Sequence, residues 1–303
     1  MKRLRGVFIA LLATSWCLAQ TPSNLELFFK PSDTLNKPRR NGVVITEVSL
    51  ASATLVGLNQ LWYKDYPKSK FHTTNDNAQW LQMDKLGHVY TAYQMGALGA
   101  DLLNWSGVSK KDQLLYGATL GFTFLTAVEV FDGFSKAWGF SWGDMVANAA
   151  GTGLYVSQEL LWDEQRIVMK YSFHQTKYAK MNPEKLGDGL AERLLKDYNG
   201  QTYWLSFNVQ SFVKSNAIPK WLNVAVGYSG EGMLTGVHDS DPRFYNQNRS
   251  RQYLLSLDVD LSRINTKSHV LKSIFGIFNT IKVPLPTVEF NDKNGIKLHG
   301  IYF

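Results

Sequence analysis

Eight polar residues interrupt three otherwise apolar stretches of this chain: Asp84, Lys85 and His88, then Glu129 and Asp132, then Ser141, Asp144 and Asn148. The stretches that carry them, residues 86–105, 113–131 and 145–162, are otherwise made largely of Ala, Gly, Leu, Val, Phe and Tyr. Burying so many ionisable groups is costly unless they satisfy one another, so they are expected to meet. On helices, Asp84 and His88, four apart, share a face. Glu129 and Asp132, three apart, share another. Asp144 and Asn148 share a third, which continues one turn later to Gly151.

A histidine among carboxylates can hold a divalent metal, with His88, Asp84, Glu129 and Asp144 as candidate ligands, or can work as a general acid and base. In the catalytic reading the candidates are Asp84, Lys85, His88, Glu129, Asp132, Asp144 and Asn148. The same residues could line a polar ligand pocket. They could equally form a hydrogen-bonded core network in which Lys85 neutralises a carboxylate while Asp144 and Asn148 cap or cross-link helices. The residues alone leave these readings open. Elsewhere the signals are weaker. His72, His174, His238, His269 and His299 lack ligand spacing. The glycines of 227–232 precede no helix with a phosphate-binding lysine, and Ser229 sits in Gly-Tyr-Ser-Gly-Glu rather than Gly-x-Ser-x-Gly.

The positioning elements follow from periodicity. Residues 20–42 read as a polar lead-in with Pro22, Pro31 and Pro38, and 43–165 as a helical bundle with helices over 43–63, 84–104, 112–131 and 141–162. Ser109 with Asp112, and Ser141 with Asp144, resemble helix entries. Gly96, Ala97, Gly99 and Ala100, and Ala147 to Gly153, are small enough to let backbones approach closely, as in membrane bundles and tight soluble ones. The region 166–303 changes to a period of two: 202–212, a shorter run at 222–228, 252–262, and a terminal hairpin of 284–291 and 296–303 about Asn294-Gly295. An amphipathic helix is expected over 269–281. About five strands fall short of the eight of a closed membrane barrel, so the expected fold is α+β. It has an N-terminal helical bundle rich in small residues, then an open antiparallel sheet packed on helices.

Residues 1–19 have the basic start, short apolar run and small residues before Gln20 of a cleaved signal peptide, which favours cleavage after Ala19. The alternative is a lipoprotein acylated at Cys17, the chain's single cysteine. Loss of Lys2, Arg3 and Arg5 takes the formal charge from +7 to +4, unlike the clustered basic surface of a nucleic-acid binder.

Asp84-Lys85-x-x-His88, Glu129-x-x-Asp132 and Ser141-x-x-Asp144-x-x-x-Asn148-x-x-Gly151 resemble the pattern of the YfiM-like predicted periplasmic lipoproteins, a family of unknown function. They are similar also to the VanZ-like envelope proteins, from which this chain departs at Asp132 and Lys136, where Gln and Arg are usual. The resemblance implies an envelope location and a four-helix arrangement, and brings no established reaction. The resulting expectation is an exported bacterial envelope protein, periplasmic or outer-membrane-associated, in contact with membrane. Its role is structural or the binding of an amphiphilic envelope molecule, lipid or cell-wall component. The alternative is a membrane-proximal metal-dependent hydrolase or transferase using the His/carboxylate cluster.

Overall fold

The computed structural model describes residues 23–303 apart from 65, 239 and 246; the expected signal segment and Cys17 lie outside the described residues. The chain is α+β, with helices first and a six-stranded antiparallel sheet after them. The helices that bear on the site and its surroundings are α1 (Asn24–Phe29), α2 (Lys37–Leu58), α3 (Met83–Trp105), α4 (Lys110–Gly133), α5 (Trp142–Trp162) and α6 (His269–Phe278). A wide π-type turn, Gln113–Gly117, interrupts α4. Thr73–Thr74 (β1) pairs in parallel with Phe140–Ser141 (β2).

The lead-in is more structured than its composition suggests. Asn36 caps α2 through the Arg39 amide, and Pro38 sits in the first turn, so the helix begins at Lys37 rather than near Val43. Short α1 also packs: its Glu26 carboxylate accepts from the Ser268 hydroxyl and from the His269 amide (2.6 Å), meeting the N-terminus of α6 where unpaired amides favour an anion.

Small residues bring α3, α4 and α5 together. A Cβ on Gly99 would lie 2.6 Å from the Gly117 carbonyl oxygen, one on Gly121 2.5 Å from that of Ala92, and one on Gly151 2.1 Å from that of Val89. These contacts allow no side chain, so polar groups on the three helices are held close. Ser141 accepts from the Asp144 amide at the entry to α5, and Ser109 does so for Asp112 at the start of α4.

The sheet is a meander, β3 (Ile167–Phe173), β4 (Gln201–Asn208), β5 (Leu222–Glu231), β6 (Ser250–Val259), β7 (Leu285–Asn291) and β8 (Gly295–Tyr302), in that spatial order. It has six strands where the alternation predicts five. In β3 the inward positions are Val168, Lys170 and Ser172, and a buried lysine conceals the pattern. Residues 209–212 leave the strand: Asn208 caps a helical turn, Val209–Val213, by accepting from the Ser211 amide.

The sheet is open as expected, with β3 and β8 as its two ends, and it curls. Tyr302 of β8 reaches Trp204 of β4, with ring centroids 5.8 Å apart, and its hydroxyl lies 3.2 Å from the Thr202 hydroxyl. The polar face turns inward and the apolar face outward. Along β6, Ser250, Gln252, Ser256 and Asp258 are buried whereas Tyr253, Leu255 and Leu257 are exposed. Over β3 to β5 the outward face is covered by α3 and α5: Met169, Tyr203 and Leu205 join Met83, Tyr93 and Tyr155 in the principal core. Over β6 to β8 no helix among the described residues covers it, and Leu298 is 77% exposed.

Candidate functional site

The turn before α3 aims the first polar pair. Trp80, Leu81 and Gln82 have φ of 47°, 52° and 66°, a left-handed run that costs roughly 1–3 kcal/mol per residue. The surroundings hold it in place. The Trp80 amide donates to the Gly236 carbonyl (2.9 Å), the Tyr228 hydroxyl donates to the Leu81 carbonyl (2.6 Å), and Arg251 donates to the Gln82 side chain (2.8 Å). The sheet thereby sets the entry angle of α3 and the placement of Asp84 and Lys85 on its first turn.

Lys85 is the electrostatic hub. Its Nζ lies 2.8 Å from Asp76, 2.8 Å from Asp144 and 3.3 Å from Asp84. Burial opposes its charge, but the surrounding carboxylates outweigh burial and hold its pKa above the usual lysine value. Asp76 also accepts from the Ser141 hydroxyl (2.7 Å); although burial opposes its charge, these bonds hold its pKa below the usual value. One turn along α3, His88 Nδ1 meets Asn148 Oδ1 at 3.0 Å. This turns Nε2 towards Glu129 Oε1 and Asp144 Oδ1, each at 3.7 Å, outside hydrogen-bonding distance. Burial works against an imidazolium here, yet Asp84, Asp144 and Glu129 together raise the His88 pKa.

The carboxylates on α4 and α5 are pushed the other way. Burial, helped by Asp144 and Asp132, takes Glu129 to about 8, even though its Oε2 accepts from the Ser141 amide at 3.0 Å. Burial, helped by Asp84 and Asp144, takes Asp132 to about 7; its Oδ1 accepts from the Tyr63 hydroxyl at 2.7 Å. Asp144 is raised by burial and then by Asp84. The cluster therefore retains protons near neutrality on groups that are ordinarily ionised, which suits proton exchange; a cation bound there would displace them.

Five of the seven candidates, Asp84, His88, Glu129, Asp132 and Asp144, line a common cavity of about 350 Å³. Lys85 and Asn148 hold its wall from behind. Periodicity does not reveal three further participants: Asp76 from the loop before α3, Tyr63 from the turn after α2, and Tyr198, whose hydroxyl donates to Asp84 Oδ1 at 2.8 Å. Asp76 sits in a polar loop without period, and Tyr198 arrives from 114 residues away. The scattered histidines stay outside; His299, for example, pairs with Glu289 at 2.6 Å inside the sheet.

A second cavity of about 330 Å³ adjoins the first at Tyr63 and is lined by aromatic Tyr66, Phe131 and Phe134, with Lys68 at its side. No curated protein and no solved structure matches this chain. Residues 73–158, from β1 into α5 and therefore including every cluster residue except Tyr63 and Tyr198, match the model of the DUF2279 family, predicted periplasmic lipoproteins, a description that agrees with a periplasmic, cell-envelope location.

Proposed function

We propose that this is an exported envelope protein seated at a bilayer, and that its paired cavities receive an amphiphilic envelope molecule without transforming it. The observation that carries the reading is the junction at Tyr63 of an acidic, histidine-containing cavity with an aromatic one, which offers a polar and an apolar end to one ligand. The motif similarity to YfiM-like and VanZ-like proteins points to the same compartment.

The outer surface supports the seat. Only Val43 of α2 is buried, while Ile45, Val48, Leu50 and Val56 are each more than 60% exposed; the helix is long and apolar enough to cross a membrane. Lys37, Arg39 and Arg40 stand at its start, as basic residues do beside anionic headgroups. Helix α4 passes the same length test, but Gly117, Gly121, Leu125, Glu129 and Gly133 are packed inside the bundle. The uncovered apolar face of β6 to β8 extends the surface.

The test is mass spectrometry of lipids retained by the protein purified in mild detergent, beside Phe131→Ala and Tyr63→Phe. One amphiphile class enriched on wild type and depleted on Phe131→Ala supports the reading; identical lipid complements on all three would end it. Cys17→Ser separates the two anchors. Membrane retention of this variant is expected, and release into the soluble periplasm would make an acyl chain, not the apolar surface, the seat.

A further inference from the structure

We infer that Asp84, His88, Glu129 and Asp144 form a binding site for one first-row divalent ion of the manganese or zinc type. Ligand atoms of Asp84, His88 and Asp144 all lie within 4.8 Å of one another. The spacing about His88 is the more telling observation. Nε2 stands 3.7 Å from an oxygen of Glu129 and 3.7 Å from one of Asp144, too far for a hydrogen bond. Two ligands each ~2.1 Å from a shared ion stand ~3.0–3.5 Å apart, so a few tenths of an ångström of closure about Nε2 would let either carboxylate share an ion with His88.

Two independent features distinguish this from a mere gathering of acids. Asn148, fully buried, fixes His88 through Nδ1, which leaves the Nε2 lone pair to face the carboxylates, as second-shell partners do for metal-binding imidazoles. Glu129 is 2% exposed and lines the cavity; its Oε2 is held by the Ser141 amide, and among the described residues no donor lies within hydrogen-bonding distance of its Oε1. One imidazole with carboxylates is a mixed N/O set suited to manganese or zinc rather than to calcium, which prefers oxygen alone. Lys85 balances part of the acidic charge from the Asp76 side and competes for Asp144. Its removal should therefore strengthen ion binding. The site does not depend on whether an amphiphile enters the cavity.

The experiment titrates chelator-stripped full-length protein in detergent with Mn²⁺ alone and then Zn²⁺ alone. Affinity is read by calorimetry, and directly bound nitrogen by pulsed paramagnetic resonance of the Mn²⁺ form. One ion per chain with a single histidine nitrogen coupling is expected, and the coupling should vanish in His88→Gln. Asn148→Ala, a positioning change, should weaken binding ~10–100-fold while the ligands remain. Lys85→Gln should strengthen it by about tenfold. Thermal melts of the ion-free variants check that each is folded. If His88→Gln fails to fold, the gain in Lys85→Gln still decides the matter. Substoichiometric binding, a nitrogen-free Mn²⁺ spectrum in wild type, or weaker binding in folded Lys85→Gln would each overturn the site.

Discussion

The bundle and the sheet both bury charge, yet they use it differently. Inside the sheet every major charge of the inner face except one is answered. Lys170 and Asp258, both without solvent exposure, pair at 2.8 Å; Asp258 also accepts from the Ser206 hydroxyl (2.6 Å) and the Val283 amide (3.2 Å). Asn223 donates to Ser206, and Asn208 donates to Asn223. Glu289 accepts from Gln252 and Asn291 and meets His299. In the bundle, acids outnumber bases around an open cavity, and His88 and Glu129 face one another without bonding. A closed, satisfied network specifies a packing arrangement. An open one with surplus acid leaves room for something to bind.

This contrast is most exposed to failure at Asp258. Asp258→Ala would strand the Lys170 ammonium with no carboxylate and remove acceptors from Ser206 and Val283; a loss of about 3–5 kcal/mol is expected from breaking a buried pair by one partner. Chemical denaturation of the purified variant reads the change. A cost below ~1 kcal/mol would show that water reaches the sheet interior, and the distinction between the regions would collapse.

Lys282 is the exception within the sheet and sharpens the rule. It is 1% exposed, stacks over Trp204 at 4.7 Å and donates to the Val283 carbonyl, but Asp258 already serves Lys170. Burial, with repulsion from Lys170, takes its pKa down from 10.5 to about 8. Between those values the unfolded chain holds a proton that the folded one has released, so this group makes stability rise with pH from about 8 to 10.5. Below pH 8 the full cost of the buried charge is present. Lys282→Met should therefore stabilise the protein at pH 7, by up to about 3 kcal/mol, and flatten the alkaline rise. Melting curves of both proteins across that window decide it, and parallel pH slopes would refute the assignment.

The close helix packing behind the site predicts a smaller loss. A Cβ at Gly117 would fall 2.5 Å from the Ala100 amide nitrogen and 2.6 Å from the Gly99 carbonyl carbon, backbone that cannot step aside. Gly117→Ala should cost about 1–3 kcal/mol by forcing α3 and α4 apart. It should also lower the ion affinity, since His88 and Glu129 ride on those two helices. Undiminished stability would mean that the helices are not held as closely as their small residues require.

How much of this was legible beforehand depended on range. The α3, α4 and α5 polar pairs obey local rules, a three- or four-residue spacing and an Ser-x-x-Asp helix entry, and the sequence therefore placed them on shared faces. Asp76, Tyr63 and Tyr198 enter by tertiary contact alone and leave no period to read. The sheet showed alternation but not its sense: a period of two separates Leu255 and Leu257 from Ser256 and Asp258 without saying which set faces in. Over β6 the set that faces in is the polar one, against the usual preference for burying apolar residues. Lys170 concealed β3 for the same reason, since a lysine on an inward position is rare unless a partner such as Asp258 waits across the sheet.

The smallest expected effect is also the most discriminating. Glu129→Gln keeps an amide oxygen able to accept from the Ser141 amide, the one side-chain hydrogen bond Glu129 makes among the described residues, and removes a carboxyl that sits among Asp132 and Asp144. If the bundle cluster were a satisfied core network like that of the sheet, losing this partner would strand His88 and cost ~1–3 kcal/mol. If the cavity instead carries more acid than its own bases need, the ion-free variant should melt within ~1 kcal/mol of wild type, because burial and its acidic neighbours raise this carboxyl to about 8 and the neutral amide replaces a group that carries little charge near neutrality. Adding Mn²⁺ should then separate the two proteins, raising the melting temperature of wild type more than that of Glu129→Gln. A large ion-free destabilisation would place the bundle charges in the same class as those of the sheet, holding the fold together and nothing more.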